Sequence, residues 1–224
     1  MIKVHILEKK FNHLVLKNVD LKIENNNVYG LIGLNGSGKT TLINLILGLD
    51  LDFKGNISFS ENSRGIDDCF YIPSDFFLPN YLTGQEYFIY LHKLKEKDIN
   101  FDYFNKLCEL FFIDQNKLIE HYSYGMKKKI QFIVGILLNC KYYIFDELTS
   151  GLDIEAVLLI EKILEHHQST FIISSHEIDF IDRISNEVLL IDNHQVRSIT
   201  GNLREQLSSL SKVESLYEQI NNFI

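Results

Sequence analysis

The sequence predicts an α/β fold, with an antiparallel β-subdomain at its N-terminus and a helical subdomain inserted into its middle. Three observations carry this prediction. A short apolar strand at residues 28–32 runs directly into a glycine-rich loop and then a helix. Three more apolar strand-like segments, YYIFD, FIISS and VLLID, follow after residue 141, with the helical pattern DIEAVLLIEKILEHH between the first two. Between these two groups, over residues 76–138, apolar side chains recur at helical spacing instead.

Taken in chain order, IKVHIL and LVLKNVDLKI alternate apolar and polar residues, as half-buried antiparallel strands do. GNISFS reads as a short edge strand and CFYIP as a buried strand stopped by proline. In the insert, Tyr87, Tyr90, Leu91 and Leu94, then Phe104, Leu107, Leu110 and Phe111, mark apolar helix faces. The reading is a core formed by 1–75 and 139–202, a helical subdomain at 76–138 and a C-terminal helix at 203–224. That last helix, built on Leu203, Leu207, Leu210, Val213, Tyr217, Ile220 and Ile224, is expected to pack on the chain's own core.

Composition narrows the classes of function. The chain has 224 residues, 46% hydrophobic and 23% charged, as in an ordinary globular domain. A net charge of −8 argues against a general nucleic-acid surface, and no nucleic-acid partner is expected. Cys69, Cys108 and Cys140 lack a C-x-x-C pair and read as buried thiols in a reducing compartment. No apolar run reaches the ~18 residues of a membrane span, so a cytosolic chain is expected, with any membrane role exercised through a partner.

The segment GLIGLNGSGKTTL fits G-x-x-x-x-G-K-[ST] through Gly33, Gly38, Lys39 and Thr40, with a further glycine at Gly36. Glycines let the loop turn its backbone N–H groups inward around a polyphosphate, and the helix that follows adds unpaired donors and a positive dipole end. Lys39 is placed to reach the β and γ phosphates, and the Thr40 hydroxyl to ligate Mg²⁺. A surface turn needs no lysine and hydroxyl in register behind its glycines. The segment reads as a site for a nucleotide triphosphate with Mg²⁺.

YYIFDELTSGLD delivers two carboxylates at the end of an apolar strand. Asp146 is placed to hold Mg²⁺ opposite Thr40, and Glu147 to act as general base on the attacking water. An Asp-Glu pair alone would read as a helix cap; about a hundred residues after a phosphate loop it reads as hydrolytic machinery. HYSYGMKKK sets Ser123 and Gly125 before an apolar helix, a second anion site in a chain that needs only one per nucleotide. It therefore suits the nucleotide of another subunit, although the motif taken alone reads first as a simple helix start. FIISSH ends in His176, which can order the water or meet the γ-phosphate. His166 and His167 read as a helix end, where the dipole favours cations, before a metal pair.

In this order, GLNGSGKT, YSYGM, FDELTSGLD and SSH resemble the motif set of ATP-binding cassette (ABC) ATPases, over nearly the whole chain. The resemblance implies a P-loop NTPase core and a head-to-tail homodimer with two ATP molecules at its interface. It implies nucleotide contacts from Gly33, Asn35, Gly36, Ser37, Gly38, Lys39, Thr40 and Thr41, and from Ser123 and Gly125 of the other copy. Asp146 with Thr40 would hold magnesium, and Glu147, His176 and Lys39 would carry the hydrolysis. Residues 150–153 would cross the dimer axis, and Phe11 would stack on adenine, one residue short of the commonest spacing. The sequence departs from the family at Ser74, where glutamine is usual, at Leu148, where proline is usual, and in YSYGM, where LSGGQ is usual. The signature variant is similar to those of bacterial export systems with separate ATPase and membrane chains.

The resemblance therefore implies the ATPase subunit of an ABC transporter, peripheral to the inner face of the membrane. It would drive export of a drug, antibiotic or peptide through a membrane-spanning permease. Residues 76–124 hold 13 of the 27 aromatics, which suits either a docking groove for that permease or a small aromatic core. Two readings compete: a soluble cassette ATPase that remodels a cytosolic complex, and a P-loop kinase, which would have no use for YSYGM.

Overall fold

The computed structural model describes residues 1–60, 63–75, 78–199, 201 and 203–208. The chain opens with β1 (Ile2–Lys10) and β2 (Leu14–Ile23), which pair antiparallel, then runs through β3 (Val28–Gly33) into α1 (Lys39–Ile46). β4 (Lys54–Phe59) returns to the free side of β1 and completes a three-stranded sheet in the order β2-β1-β4. β5 (Cys69–Ile72) precedes three helices, α2 (Gly84–Leu94), α3 (Phe101–Leu110) and α4 (Tyr124–Leu137). The second half alternates: β6 (Tyr142–Phe145), α5 (Ile154–His166), β7 (Thr170–Ser174), α6 (Ile178–Ile184), β8 (Glu187–Asp192), β9 (Gln195–Ile199) and α7 (Leu203–Ser208). The larger sheet has the order β5-β6-β7-β3-β8-β9, parallel except for β9 at its edge.

Burial follows the pattern of the sequence. On β1, Ile2, Val4 and Ile6 are buried while Lys3, His5 and Leu7 face solvent, as in a sheet covered on one side. β3, β6 and β7 are buried along almost their whole length, because helices or the smaller sheet cover both faces. The period of two then sorts each strand between two cores. Tyr29, Leu31, Ile144, Ile172 and Leu189 pack with α1 and the antiparallel sheet. Tyr143, Phe145, Phe171, Ile173 and Leu190 pack beneath α4, α5 and α6.

Helix starts are written in local chemistry. Thr83 and Glu86 form a reciprocal capping box on α2, Asn100 caps α3 and Asp153 caps α5. The inner face of α2 differs from the expected one. Tyr87, Phe88 and His92 are buried, whereas Tyr90 and Leu94 are 53% and 62% exposed. The reason is the α2–α3 contact: Phe88 stacks on Phe104 with centroids 4.1 Å apart and planes 3° from parallel, which turns the helix about that pair. On α3, Leu110 is likewise exposed, and Cys108 fills the inner position. The aromatics of the insert thus divide, with Phe88, Phe104 and Phe111 in a core and Tyr81, Tyr90, Tyr103 and Phe112 on the surface. Cys69, Cys108 and Cys140 are buried free thiols. Most of the helix expected at 203–224 lies outside the described residues; within them α7 places Leu203 in the core.

α4 lies on the sheet so closely that a Cβ at Gly135 would sit 2.0 Å from the Phe70 ring. Gly135→Ala gains about 1 kcal/mol of helix propensity but must displace that ring, and overpacking of this kind costs about 1–3 kcal/mol. The expected result is a net loss of stability, read as a lower urea midpoint; an unchanged or higher midpoint would show that the ring has room to turn.

Candidate nucleotide-binding and hydrolysis site

The site forms where β3, β6 and β7 end on the same edge of the sheet. β3 leads into a loop in which Gly36 and Gly38 take φ of 77° and 111°, a region open to glycine at no steric cost. That geometry turns the loop back over the start of α1. A cleft of about 300 Å³ opens there, lined by residues 35–41 with Phe11, His13, Val15 and Glu147. The Ser37 hydroxyl is buried and has no hydrogen-bond partner among the described residues, so the loop holds a donor with nothing of its own to serve there. Lys39 is 7% exposed, donates to Gly33 O at 2.9 Å and stands 3.9 Å from Glu147 Oε1. A buried cation, backbone donors and an unpartnered hydroxyl around one cleft fit a polyphosphate.

From the neighbouring strand, β6 carries Asp146 and Glu147. Thr40 Oγ1 donates to Asp146 Oδ2 at 2.6 Å, across 106 residues of sequence. A hydroxyl and a carboxylate converging at the cleft are oxygen donors of the kind a hard divalent cation takes. Asp146 is 1% exposed, and its other oxygen accepts from Ser174 Oγ at 2.5 Å. Ser174 also accepts from the Glu147 N–H at 2.8 Å, so one hydroxyl at the tip of β7 steadies both acidic residues. The sequence alone gives Ser174, within FIISSH, no task; its signal is its place at the strand tip, two residues before His176. His176 Nε2 lies 3.1 Å from Glu147 Oε1, which puts imidazole, carboxylate and Lys39 ammonium in one cluster. Leu148, where proline is usual, is buried and donates its N–H to Ser174 O at 3.2 Å, a bond that proline could not make.

Phe11 is 57% exposed at the rim of the cleft, and Lys9 Nζ sits 4.3 Å from its ring centroid. Lys9 is itself buried, held by Asp50 at 2.8 Å and by Asp52 O at 2.7 Å. The ring therefore has a fixed cation behind one face. Ser123 and Gly125 do not line the cleft. Ser123 is exposed and caps α4 by accepting from the Met126 N–H, while a Cβ on Gly125 would come 2.5 Å from Gly151 O. The loop after Glu147 and the start of α4 thus form one surface. Asp153 ends that loop, and Lys129 at 2.5 Å holds its carboxyl below the usual range. Ser74 contributes its backbone: its carbonyl accepts from Tyr124 OH at 3.2 Å. Gln85 lies in the first turn of α2 with its N–H bonded to Gln115 O at 2.9 Å.

A residue that sequence reading passed over is Lys128. Consecutive lysines are ordinarily solvated, yet Lys128 is 1% exposed and donates to Glu147 O. Burial pushes its ammonium down to about 8, against the pull of the Glu147 and Asp146 carboxylates.

The arrangement is that of an ATP-hydrolysing domain: a phosphate loop, an Asp-Glu pair at a strand end and a histidine on the carboxylate. The family described as ABC transporter matches residues 16–150, and this chain belongs to the ABC transporter ATP-binding proteins, an ATPase family. It is 30% identical to the putative ABC transporter ATP-binding protein AlbC of Bacillus subtilis, across 84% of this chain and 85% of that one. It is 31% identical to the tungstate uptake system ATP-binding protein TupC of Campylobacter jejuni, across 83% of this chain and 59% of that one. Among solved structures, an ATP-binding subunit of an ABC transporter superposes with a TM-score of 0.78 at 25% identity, covering 99% of both chains. The dimeric bacterial ABC transporter cassette MJ0796 superposes with a TM-score of 0.76 at 20% identity, covering 90% of this chain and 100% of that one. Among the described residues no helix is long and apolar enough to cross a membrane.

Proposed function

We propose that two copies of this chain pair head to tail and power a separate membrane-spanning permease from the cytoplasmic side. The observation that carries this reading is the placement of Ser123 and Gly125. They make an exposed helix start outside their own chain's cleft, beside the loop at 150–153. Such a start has donors for phosphate and no phosphate of its own to bind.

Within each cleft, the residues in the 35–41 loop, with Gly33, cradle the triphosphate and Lys39 neutralises it. Thr40 and Asp146 would hold a magnesium ion, which would spread the charge that develops on the β and γ phosphates. Glu147 accepts the proton of the attacking water, and His176, bonded to the same carboxylate, fixes its direction. Phe11 offers adenine its outer face, since Lys9 covers the inner one. Binding closes the pair, hydrolysis releases it, and the permease converts that cycle into transport.

For the cargo, we propose export of a drug, antibiotic or peptide. Support comes from the YSYGM signature, which is similar to those of export systems with separate ATPase and membrane chains. TupC, named for uptake, sets the alternative outcome. The test is to co-express the chain with the membrane protein encoded beside it, reconstitute the pair in vesicles and follow ATP-dependent movement of labelled candidates. Accumulation on the chain's own side would reverse the proposed direction. Failure of any membrane protein to copurify would favour a soluble remodelling ATPase.

Ser74 gives a further expectation. A serine side chain is too short to reach from its strand end to a bound cation, so the link that a glutamine here would make between a metal and the helical insert is expected to be missing, and the Ser74 carbonyl accepts from Tyr124 OH at 3.2 Å. Ser74→Gln is expected to alter permease-stimulated hydrolysis more than the basal rate. Equal stimulation of both proteins, measured in the same vesicles, would mean the position is idle.

A further inference from the structure

Lys128 presents an energetic puzzle. Three lysines in a row on α4 would ordinarily be solvated, and two of them are buried. Lys129 has a carboxylate partner in Asp153, 2.5 Å away. Among the described residues Lys128 forms no ion pair; its ammonium is spent on the backbone carbonyl of Glu147. The Glu147 and Asp146 carboxylates attract the buried ammonium without pairing with it, and its hydrogen bond goes to that carbonyl, whose position it therefore fixes.

Glu147 has φ of 55°, a left-handed conformation in a residue with a Cβ. Such a conformation persists only where the surroundings hold it on both sides. Here the N–H is held by Ser174 Oγ at 2.8 Å and the carbonyl by Lys128. The conformation keeps the side chain on His176 and near Lys39. If the carbonyl is released, the peptide can relax towards right-handed values and swing the carboxylate away. Lys128 Nζ also lies 5.6 Å from the ring centroid of Tyr124, which stands between Ser123 and Gly125 and reaches Ser74 O. The anchor of Glu147 therefore rests on the signature segment of the same chain.

We propose that Lys128 is a positioning residue for hydrolysis, holding the Glu147 peptide in its left-handed form and tying that form to Tyr124 in the signature segment. The inference rests on the reading of Glu147 as the base. Lys128→Met, which keeps length and removes the donor, is expected to lower the single-turnover rate about 10–100-fold, as a small misplacement of a catalytic group does. Its Kd for Mg-ATP should stay near that of the unaltered chain. Lys128→Gln, a shorter neutral donor, should recover part of the rate, and it carries the same comparison if the methionine variant does not fold. In a Glu147→Gln background, Lys128→Met should cost nothing further, because both changes act on one carboxylate. Wild-type turnover in Lys128→Met, or an equal loss in both backgrounds, would overturn the inference. Wild-type turnover in Glu147→Gln would remove the reading of the base and the inference with it. A silent Glu147→Gln beside a fully active Lys128→Met would overturn the inference alone.

Discussion

Glu147→Gln is expected to bind Mg-ATP, to hydrolyse it about 10²–10⁴ times more slowly and to accumulate as an ATP-bound dimer. The amide keeps the shape of the side chain and an acceptor for His176, which lies 3.1 Å from the present carboxylate. What it lacks is a basic oxygen for the proton of water. Binding should survive, since Lys39, Thr40, Asp146 and the loop amides are untouched. It should tighten if anything, because one negative charge 3.9 Å from the Lys39 ammonium is gone. In the proposed head-to-tail pair, ATP that is bound and not cleaved would hold the two copies together through Ser123 and Gly125 of each. Size-exclusion chromatography with ATP measures this, with Ser123→Arg in the same background as the control that should remain monomeric. A variant that binds ATP and never dimerises at high concentration would remove the trans role of YSYGM.

Lys39→Ala should lose ATP binding altogether or nearly so. Lys39 is 7% exposed and its ammonium is anchored on Gly33 O, so it stands ready inside the cleft. Removing it leaves a triphosphate with loop amides and no fixed cation. Thermal unfolding with Mg-ATP is the measurement: ligand at 100 times its Kd should stabilise the unaltered chain by about 2.7 kcal/mol and leave the variant where it was. An equal shift in both would mean that the nucleotide sits elsewhere.

Much of the site was legible because phosphate chemistry is written locally. A loop that must turn over an anion needs glycine at Gly36 and Gly38, and the residues behind it must be Lys39 and Thr40 in register. A strand that must offer two carboxylates at its tip has them adjacent, as in Asp146 and Glu147. The parts that were not legible depend on distant packing. The inner face of α2 was set by Phe88 meeting Phe104, a partner on another helix. α6 and β9 carry too short an apolar pattern to stand out, and β9 exists by pairing with β8 at the sheet edge. Nothing in the sequence singles out Lys9, and only the chain around Asp50 and Asp52 buries it beneath Phe11.

The sequence by itself determined the class of fold, the phosphate loop, the acidic pair and the order of the motifs, because each is a matter of backbone freedom and neighbouring side chains. Only the tertiary structure decided which residues act together. It joined Thr40 to Asp146 across 106 positions and brought His176 onto Glu147. It also chose, out of three consecutive lysines, the one whose ammonium reaches the Glu147 carbonyl. A helix turns each residue by about 100° from the last, so neighbours in sequence meet different surroundings, and burial then gives one of them a partner that no local pattern records.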